Sequence, residues 1–114
     1  MQEGERERDR ILEEKIAIYL ENLGSDDPVF RWGAAAALGR MGAGEAVPAL
    51  IEALGDEDWR VRRNAAWALG QIGDVQALPY LARLSRDPVD AVQEMAGEAV
   101  RAIQQERGRG EAAI

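Results

Sequence analysis

The sequence predicts an all-α solenoid, in which antiparallel helix pairs stack side by side around one thin core. Three observations support this fold class. The chain repeats itself: a shift of 31 residues places residues 23–53 over residues 54–84 with thirteen identities. In each copy, apolar residues recur at helical spacing. Glycine and proline stand where helices of that length would end or begin. A degraded third copy follows, so we expect about three repeats.

The first element is predicted to be a single capping helix over residues 10–23. Within "ILEEKIAIYLENL", four apolar side chains fall on one helical face: Ile16, Tyr19, Leu20 and Leu23. A lone amphipathic helix of this kind covers one open end of the stack. We expect residues 1–9, which are almost entirely polar, to form a disordered tail.

Two full units follow, over residues 24–54 and 55–84, and each is predicted to contain two helices. Asp58 occupies an N-cap position and Gly73 the left-handed position after the last turn of the first helix. Asp74 then caps a shorter helix, roughly residues 75–84, which bends or begins late because of Pro79. The longer helix carries one apolar stripe: Val61, Ala65, Ala68, Leu69 and Ile72.

A glycine stands inside the longer helix of both units, at Gly39 and Gly70. Glycine in a helix interior costs about 1 kcal/mol relative to alanine. Because both units accept this cost, we expect a neighbouring helix to pass too close for a side chain.

The degraded third copy, "DPVDAVQEMAGEAVRAI", predicts a C-terminal helix over residues 88–105. Its charged side chains close the second end of the stack, since a solenoid needs polar caps. The repeat domain is thus expected to span residues 10–106. Residues 107–114 are predicted to be a second disordered tail.

Two arginines, Arg31 and Arg62, each follow an aspartate by four residues. We interpret them as a ladder of ion pairs between repeats, in which Asp27 and Asp58 are the partners. The ladder is expected to end at Gln93, which replaces the arginine in the third copy.

The composition argues against several classes of function. The chain has no histidine and no cysteine, which removes most zinc sites, catalytic triads and imidazole bases. We therefore expect a non-enzymatic protein with no metal and no cofactor. No run of eighteen apolar residues is present, so no membrane span is expected. The cytoplasm is the expected compartment.

A net charge of −7 argues against nucleic acid as the partner. One nucleic-acid hypothesis nevertheless stays open, in which bases stack on tryptophans and phosphates meet arginines. It would use one cluster of side chains: Trp59, Arg60, Arg62, Arg63 and Trp67.

The stretch "DWRVRRNAAWALGQIGDVQALPYL" (residues 58–81) resembles the short HEAT-like repeat named after phycobilisome (PBS) lyases. The pattern is weaker in "DPVFRWGAAAALGRMGAGEAVPAL" (residues 27–50), and the resemblance covers about residues 11–104. It implies a right-handed solenoid with the VRxxAAxALG helices on its concave side. The family includes bilin lyases, protein-modifying enzymes and scaffolds. Its branch that hydroxylates a lysine derivative holds iron with His-Glu pairs, which this chain lacks.

The same resemblance implies a binding surface on the concave side. Engineered α-helical repeat binders built on a similar scaffold vary the positions that flank VR and AA. Carried over, and extended to the third copy, these positions are Trp32, Trp59, Arg60, Arg63, Asn64, Trp67, Glu94, Met95 and Glu98.

Trp67 stands where the first unit has Ala36. From this difference we predict that the fold does not need a ring at residue 67 and that the ring faces a partner. Two alternatives concern its neighbours: Trp59 could plug the junction between units, and Arg63 could stack on Trp67.

The function predicted from the sequence is that of a non-catalytic module presenting a concave groove of inner helices to a protein or peptide. A homodimer formed through the groove is a second form of this hypothesis. The alternative is an accessory subunit of a bilin-lyase-like or other protein-modifying enzyme complex.

Overall fold

The computed structural model describes residues 2–112, with side chains up to residue 108, and this part of the chain contains no strand. Short 3-10 segments join several of its helices, and the all-α solenoid predicted from the sequence is confirmed. The α-helices are α1 (Gln2–Asn22), α2 (Pro28–Met41), α3 (Val47–Ala53), α4 (Trp59–Ile72), α5 (Leu78–Arg83) and α6 (Asp90–Ala112).

The helices form a flat slab with extents of 49 × 45 × 17 Å. Helices α2, α4 and α6 pack side by side as an inner row with α4 in the middle, while α1, α3 and α5 pack against this row. One apolar cluster runs from Ile16 in α1 to Ile103 in α6. Of the stripe predicted on α4, Ala65, Ala68 and Leu69 belong to this cluster and Ile72 is partly buried against it, while Val61 is buried as well.

The predicted helix caps are confirmed. The Asp58 side chain accepts a hydrogen bond from the amide of Arg60 at 2.8 Å, and Asp74 accepts one from Gln76 at 2.8 Å. Gly73 has a φ of 81°, the left-handed conformation that favours glycine after a helix. Pro79 lies in the first turn of α5, which begins only after the 3-10 segment Val75–Ala77.

The close approach predicted at the two helix-interior glycines is also confirmed. A Cβ placed on Gly39 would lie 2.8 Å from Cα of Ala68, and one on Gly70 would lie 2.9 Å from Cα of Ala99. Ala99 follows Ala68 by one repeat, so the same contact joins α2 to α4 and α4 to α6.

The ladder of ion pairs exists, but its predicted partners are wrong. Arg31 Nε and Nη2 donate to the two oxygens of Asp56 at 2.8 and 3.1 Å. Arg62 binds Asp87 with the same two distances. Asp27 and Asp58 do not take part because their side chains accept from backbone amides as N-caps.

Each ladder arginine also ties down the loop that precedes its own helix. Nη1 of Arg31 donates to the carbonyl oxygen of Ser25, and Nη1 of Arg62 donates to that of Asp56, both at 2.8 Å. In the third copy, Gln93 Nε2 donates to the Asp87 carbonyl across the same spacing of six residues. Gln93 therefore keeps the loop contact and ends the ladder, as predicted.

The two predicted tails are helical where the structure describes them. Residues 2–9 belong to α1 and residues 107–112 to α6, while residues 1, 113 and 114 lie outside the described part. Disorder was expected at the N-terminal end because residues 1–9 are almost entirely polar. Local polar contacts support the exposed helix instead: Arg10 pairs with Glu7 at 2.7 Å, and Arg8 donates to the carbonyl of Gly4.

Helix α1 covers the N-terminal end of the stack only in part. Ile16 is buried against the core, and Tyr19, Leu20 and Leu23 are partly buried. Phe30 is 57% exposed although Val61 and Val92, one and two repeats later, are completely buried. No inner helix precedes α2 in the described part of the chain, so this side of α2 lacks the neighbour that α4 and α6 have.

Candidate functional site

The exposed edges of α2, α4 and α6 form one surface, which we call the inner-helix face. Because the repeat is 31 residues long, side chains at equivalent positions lie on the same side of successive inner helices. All nine residues predicted as binding positions lie on these helices, and none is fully buried. Three sets of equivalent positions are Trp32, Arg63 and Glu94; Gly33, Asn64 and Met95; and Ala36, Trp67 and Glu98.

The structure brings four of these side chains together at the α2–α4 boundary. The guanidinium carbon of Arg60 lies 4.8 Å from the centre of the Trp32 ring and 5.6 Å from that of Trp59. The guanidinium carbon of Arg63 lies 5.4 Å from the centre of the Trp59 ring. These distances are those of cation–π contacts. We call Trp32, Trp59, Arg60 and Arg63 the Trp–Arg array.

The array settles the two alternatives left open for its members. Arg63 stacks on Trp59, one turn earlier in α4, and the predicted alternative of Arg63 on Trp67 is wrong. Trp59 packs partly against the hydrophobic core and still offers its ring to both arginines. Trp59 therefore contributes to the core and to the array at once.

The arginines of the array keep hydrogen-bonding capacity. In residues 2–108, neither Arg60 nor Arg63 forms an ion pair with a carboxylate. A guanidinium group stacked on a ring uses its flat face, which leaves the N–H donors at its edge for an acceptor. Arg62 differs, because Asp87 and two backbone carbonyls already take its donors. The nucleic-acid hypothesis thus loses one of its phosphate contacts.

Asn64 holds the array in register. Its Nδ2 donates to the backbone carbonyl oxygen of Trp32 at 3.1 Å, which ties α4 to α2 directly at the array. Among the nine predicted positions, Asn64 thus serves the packing of the two helices.

Trp67 does not stand free on the face. A Cβ placed on Gly39 would lie 2.7 Å from Cζ3 of Trp67, so the ring occupies the space that the glycine leaves open. The side chain is partly buried and packs against the core. The ring therefore takes part in the packing of α4 against α2, which argues against the prediction that the fold does not need it, while its predicted contact with a partner stays a prediction. Ala36 can be small because, in the described part of the chain, α2 has no preceding inner helix whose glycine a ring would cover.

Replacing Trp67 by alanine should lower the free energy of unfolding by about 2–3 kcal/mol. Full burial would place the cost at about 3–5 kcal/mol, and partial exposure of the ring reduces it. Urea unfolding followed by circular dichroism measures the change. Trp32→Ala is the control and should cost about 1 kcal/mol or less, because it removes a ring that covers no glycine. Equal losses in the two variants would contradict the role given to Trp67.

A notch of about 160 Å³ opens between α4 and α6. It is lined by Trp67, Gly70, Gln71, Met95, Glu98, Ala99 and Ala102. Glu94 and Glu98 are exposed, and neither forms an ion pair within the described residues. The inner-helix face therefore carries cationic groups at the α2–α4 boundary and acidic groups along α6.

The face shows no built metal site. Within the residues that the structure describes, no group of three or more His, Cys, Asp or Glu side chains is arranged to hold a metal ion. None of the helices between residues 2 and 112 has the length and apolar character that crossing a membrane requires.

Known proteins resemble this chain at the level of the repeat. A family model described as HEAT repeats matches residues 16–101. The solved structure of human deoxyhypusine hydroxylase in complex with glycerol is 34% identical, with a TM-score of 0.76. That match covers 83% of this chain and 34% of the human protein, so the chain spans about a third of its length. No curated protein matches the chain.

Proposed function

The chain belongs to the HEAT-repeat family, whose repeats generally mediate protein interactions, and we propose that it is a non-catalytic module that binds a protein or peptide along the inner-helix face. The observation that carries this proposal is the Trp–Arg array. Tryptophan and arginine are the side chains most enriched in the energetic centres of interfaces. Here two of each are linked by three cation–π contacts at the α2–α4 boundary.

The array is suited to binding because its geometry exists before a partner arrives. Ordering a long side chain at an interface costs about 0.5–1.5 kcal/mol. Arg60 and Arg63 already rest on tryptophan rings, so part of that cost is met within the free protein. Their remaining N–H donors fit a carboxylate or a backbone carbonyl of the partner.

The dimensions of the face suit an extended segment. Neighbouring packed helices lie about 8–10 Å apart, so the path from α2 over α4 to α6 measures about 16–20 Å. An extended chain advances about 3.3 Å per residue, and about six residues would cross the face.

Selection from a library of displayed peptides tests the proposal. A peptide selected on the wild-type chain should bind the Trp32→Ala/Arg60→Ala variant at least about 30-fold more weakly, because a hot-spot residue contributes about 2 kcal/mol or more.

The control variant for this selection is Tyr80→Ala/Arg83→Ala. This pair on α5 has the same type of contact, with Arg83 5.3 Å from the Tyr80 ring centre, but lies away from the inner row. The control should bind like wild type. Equal binding by both double variants would overturn the proposal, and so would a selection that yields no binding peptide.

The alternative function, an accessory subunit of a protein-modifying enzyme complex, is favoured by one observation. The human protein that is 34% identical is itself named as a hydroxylase. Assignment of this chain to the PBS-lyase type of HEAT repeat belongs to the same alternative. The inner-helix face would then hold the catalytic subunit or its protein substrate. Co-elution of the chain with an enzyme from its host, lost in Trp32→Ala/Arg60→Ala, would favour this alternative over a free-standing scaffold.

A further inference from the structure

The notch between α4 and α6, which we call the Gly70 notch, has an internal precedent in the same molecule. At the α2–α4 boundary, the atom nearest to a Cβ on Gly39 would be Cζ3 of Trp67, at 2.7 Å. At the α4–α6 boundary, the three nearest atoms to a Cβ on Gly70 all belong to Ala99. An indole ring thus covers the first glycine, and no such ring covers the second.

The sequence accounts for this difference. The residue one repeat after Trp67 is Glu98, an exposed carboxylate at the edge of the notch. A glutamate has no ring with which to cover Gly70, so the space that Trp67 fills in one repeat stays open in the next. The chain itself therefore shows which side chain such a space accepts.

From this we propose that the Gly70 notch seats an aromatic side chain of the bound peptide, next to a basic residue of that peptide held by Glu94 and Glu98. This inference rests on the proposed function, since it names the chemistry of the segment that lies on the inner-helix face. It commits to a peptide as the occupant.

The volume of the notch is suited to a single side chain. Pockets for small organic ligands usually measure about 300–1,000 Å³, whereas this notch holds about 160 Å³. At its Gly70, Gln71 and Ala102 edge it adjoins a wider cleft of about 390 Å³. A peptide backbone can therefore leave the notch after one side chain has entered it.

The walls of the notch select an aromatic ring. Trp67 and Met95 line it from α4 and α6, together with Gly70 and Ala99, which we call its floor. Aromatic rings pack favourably edge to face against other rings and against thioether sulfur. Because the floor has almost no side chains, a flat ring can approach the backbone closely, as Trp67 does at Gly39.

The rim of the notch selects a positive charge. Glu98 lines the notch and Glu94 lies one turn before it on α6, and neither has an ion-pair partner in the described part of the chain. An arginine or lysine beside the aromatic residue would meet these carboxylates. An acidic residue there would be repelled, which gives the notch selectivity by charge.

Three synthetic peptides and two variants of Glu98 test the inference. The probe is the acetylated, amidated peptide Gly-Arg-Trp-Arg-Gly, titrated into the isotope-labelled chain and followed by amide chemical shifts. We expect saturable shifts centred on Gly70 and Ala99. Gly-Arg-Ala-Arg-Gly and Gly-Glu-Trp-Glu-Gly should each bind at least about tenfold more weakly.

The decisive variant is Glu98→Trp, which places in the third copy the ring that the second copy has at Trp67. It should raise the midpoint of thermal unfolding by covering Gly70 and weaken the Gly-Arg-Trp-Arg-Gly peptide at least about tenfold. Glu98→Gln leaves the notch open and removes one charge. It should reduce the preference for Gly-Arg-Trp-Arg-Gly over Gly-Glu-Trp-Glu-Gly without abolishing binding.

Failure of this inference can be told apart from failure of the proposed function. If library-selected peptides lose binding in Trp32→Ala/Arg60→Ala but bind Glu98→Trp like wild type, the face binds peptides and the notch assignment is overturned. If shifts centred on Gly70 arise from self-association of the chain, shown by sedimentation without peptide, the occupant is a second copy and the peptide assignment is overturned.

Discussion

Gly70→Leu is expected to lower the free energy of unfolding by about 3 kcal/mol. Overpacking of a close contact typically costs about 1–3 kcal/mol. We expect a loss at the upper end of this range because the added side chain would meet backbone atoms, which cannot change rotamer. A Cβ at residue 70 would meet Cα of Ala99 at 2.9 Å, so α6 would have to move away from α4. Urea unfolding of the purified chain measures the loss.

Gly70→Ala tests the close contact between α4 and α6 without the large side chain of leucine. Alanine is favoured over glycine in a helix interior by about 1 kcal/mol, so propensity alone predicts a gain. We expect instead a net loss of about 1 kcal/mol, because even a methyl group does not fit against Ala99.

The matched control is Gly33→Ala in α2, where no atom beyond the adjacent residues and the helix's own nearby backbone lies within 4 Å of the added Cβ. This variant should gain about 0.5–1 kcal/mol. The opposite signs of the two glycine-to-alanine changes are the test. A gain of similar size in both would show that α6 does not press on Gly70.

The elements that could be predicted from the sequence are those fixed by local contacts. Asp58 and Gly73 act within a few residues along the chain, so their spacing to the apolar stripe was sufficient to place the ends of α4. The close approach at Gly39 and Gly70 is a contact between repeats. It could be predicted because a glycine, which destabilises a helix interior, stands at the same position in both repeats.

The partners of the ladder arginines could not be found by a local rule. Arg31 binds Asp56, 25 residues later, whereas the helical spacing of four pointed to Asp27. The sequence nevertheless contained a pattern that indicates these partners. Ser25, Asp56 and Asp87 are equivalent positions, and the carboxylate occurs at the two that follow a ladder arginine.

Trp67 shows a limit of comparing repeats by sequence alone. Ala36 and Trp67 are equivalent in the sequence but differ in their neighbours, since in the described part of the chain α4 follows an inner helix and α2 does not. A small residue in the first unit therefore said nothing about the need for a ring in the second. The Gly70 notch could not be predicted for a related reason. It exists because Glu98, the residue equivalent to Trp67, leaves Gly70 uncovered.

Arg62→Met should be the most destabilising change in the ladder, costing about 3 kcal/mol at neutral pH. Removal of one partner from a buried ion pair leaves the other charge uncompensated, which typically costs about 3–5 kcal/mol. The side chains of Arg62 and Asp87 are only 14% and 4% exposed. Arg10→Ala is the control: that residue pairs with Glu7 at exposures of 64% and 58%, and an exposed pair contributes about 0.5 kcal/mol or less.

The pH dependence of this loss distinguishes an uncompensated charge from lost packing. Burial by itself would raise the pKa of Asp87, but hydrogen bonds from Arg62 and from the Val89 amide outweigh it and hold the pKa below its ordinary value. The wild-type chain therefore keeps this stabilisation above about pH 4 and loses it as the pH falls through the lowered pKa. In Arg62→Met burial dominates, and the carboxyl group is destabilising only while it is ionised.

The difference in stability between wild type and Arg62→Met should therefore be largest near neutral pH. It should begin to shrink before the pH has fallen to about 4, because the buried carboxyl group of the variant protonates first, and it should go on shrinking down to the lowered pKa of the wild type. Adding Asp87→Asn to Arg62→Met removes the charge and should restore part of the stability at neutral pH, while the amide oxygen can still accept from Val89. Thermal unfolding across this pH range measures both effects. A difference that stays constant with pH, together with no recovery in the double variant, would mean that Arg62 stabilises the chain by packing and by its hydrogen bonds to backbone carbonyls, and that its ion pair with Asp87 contributes nothing.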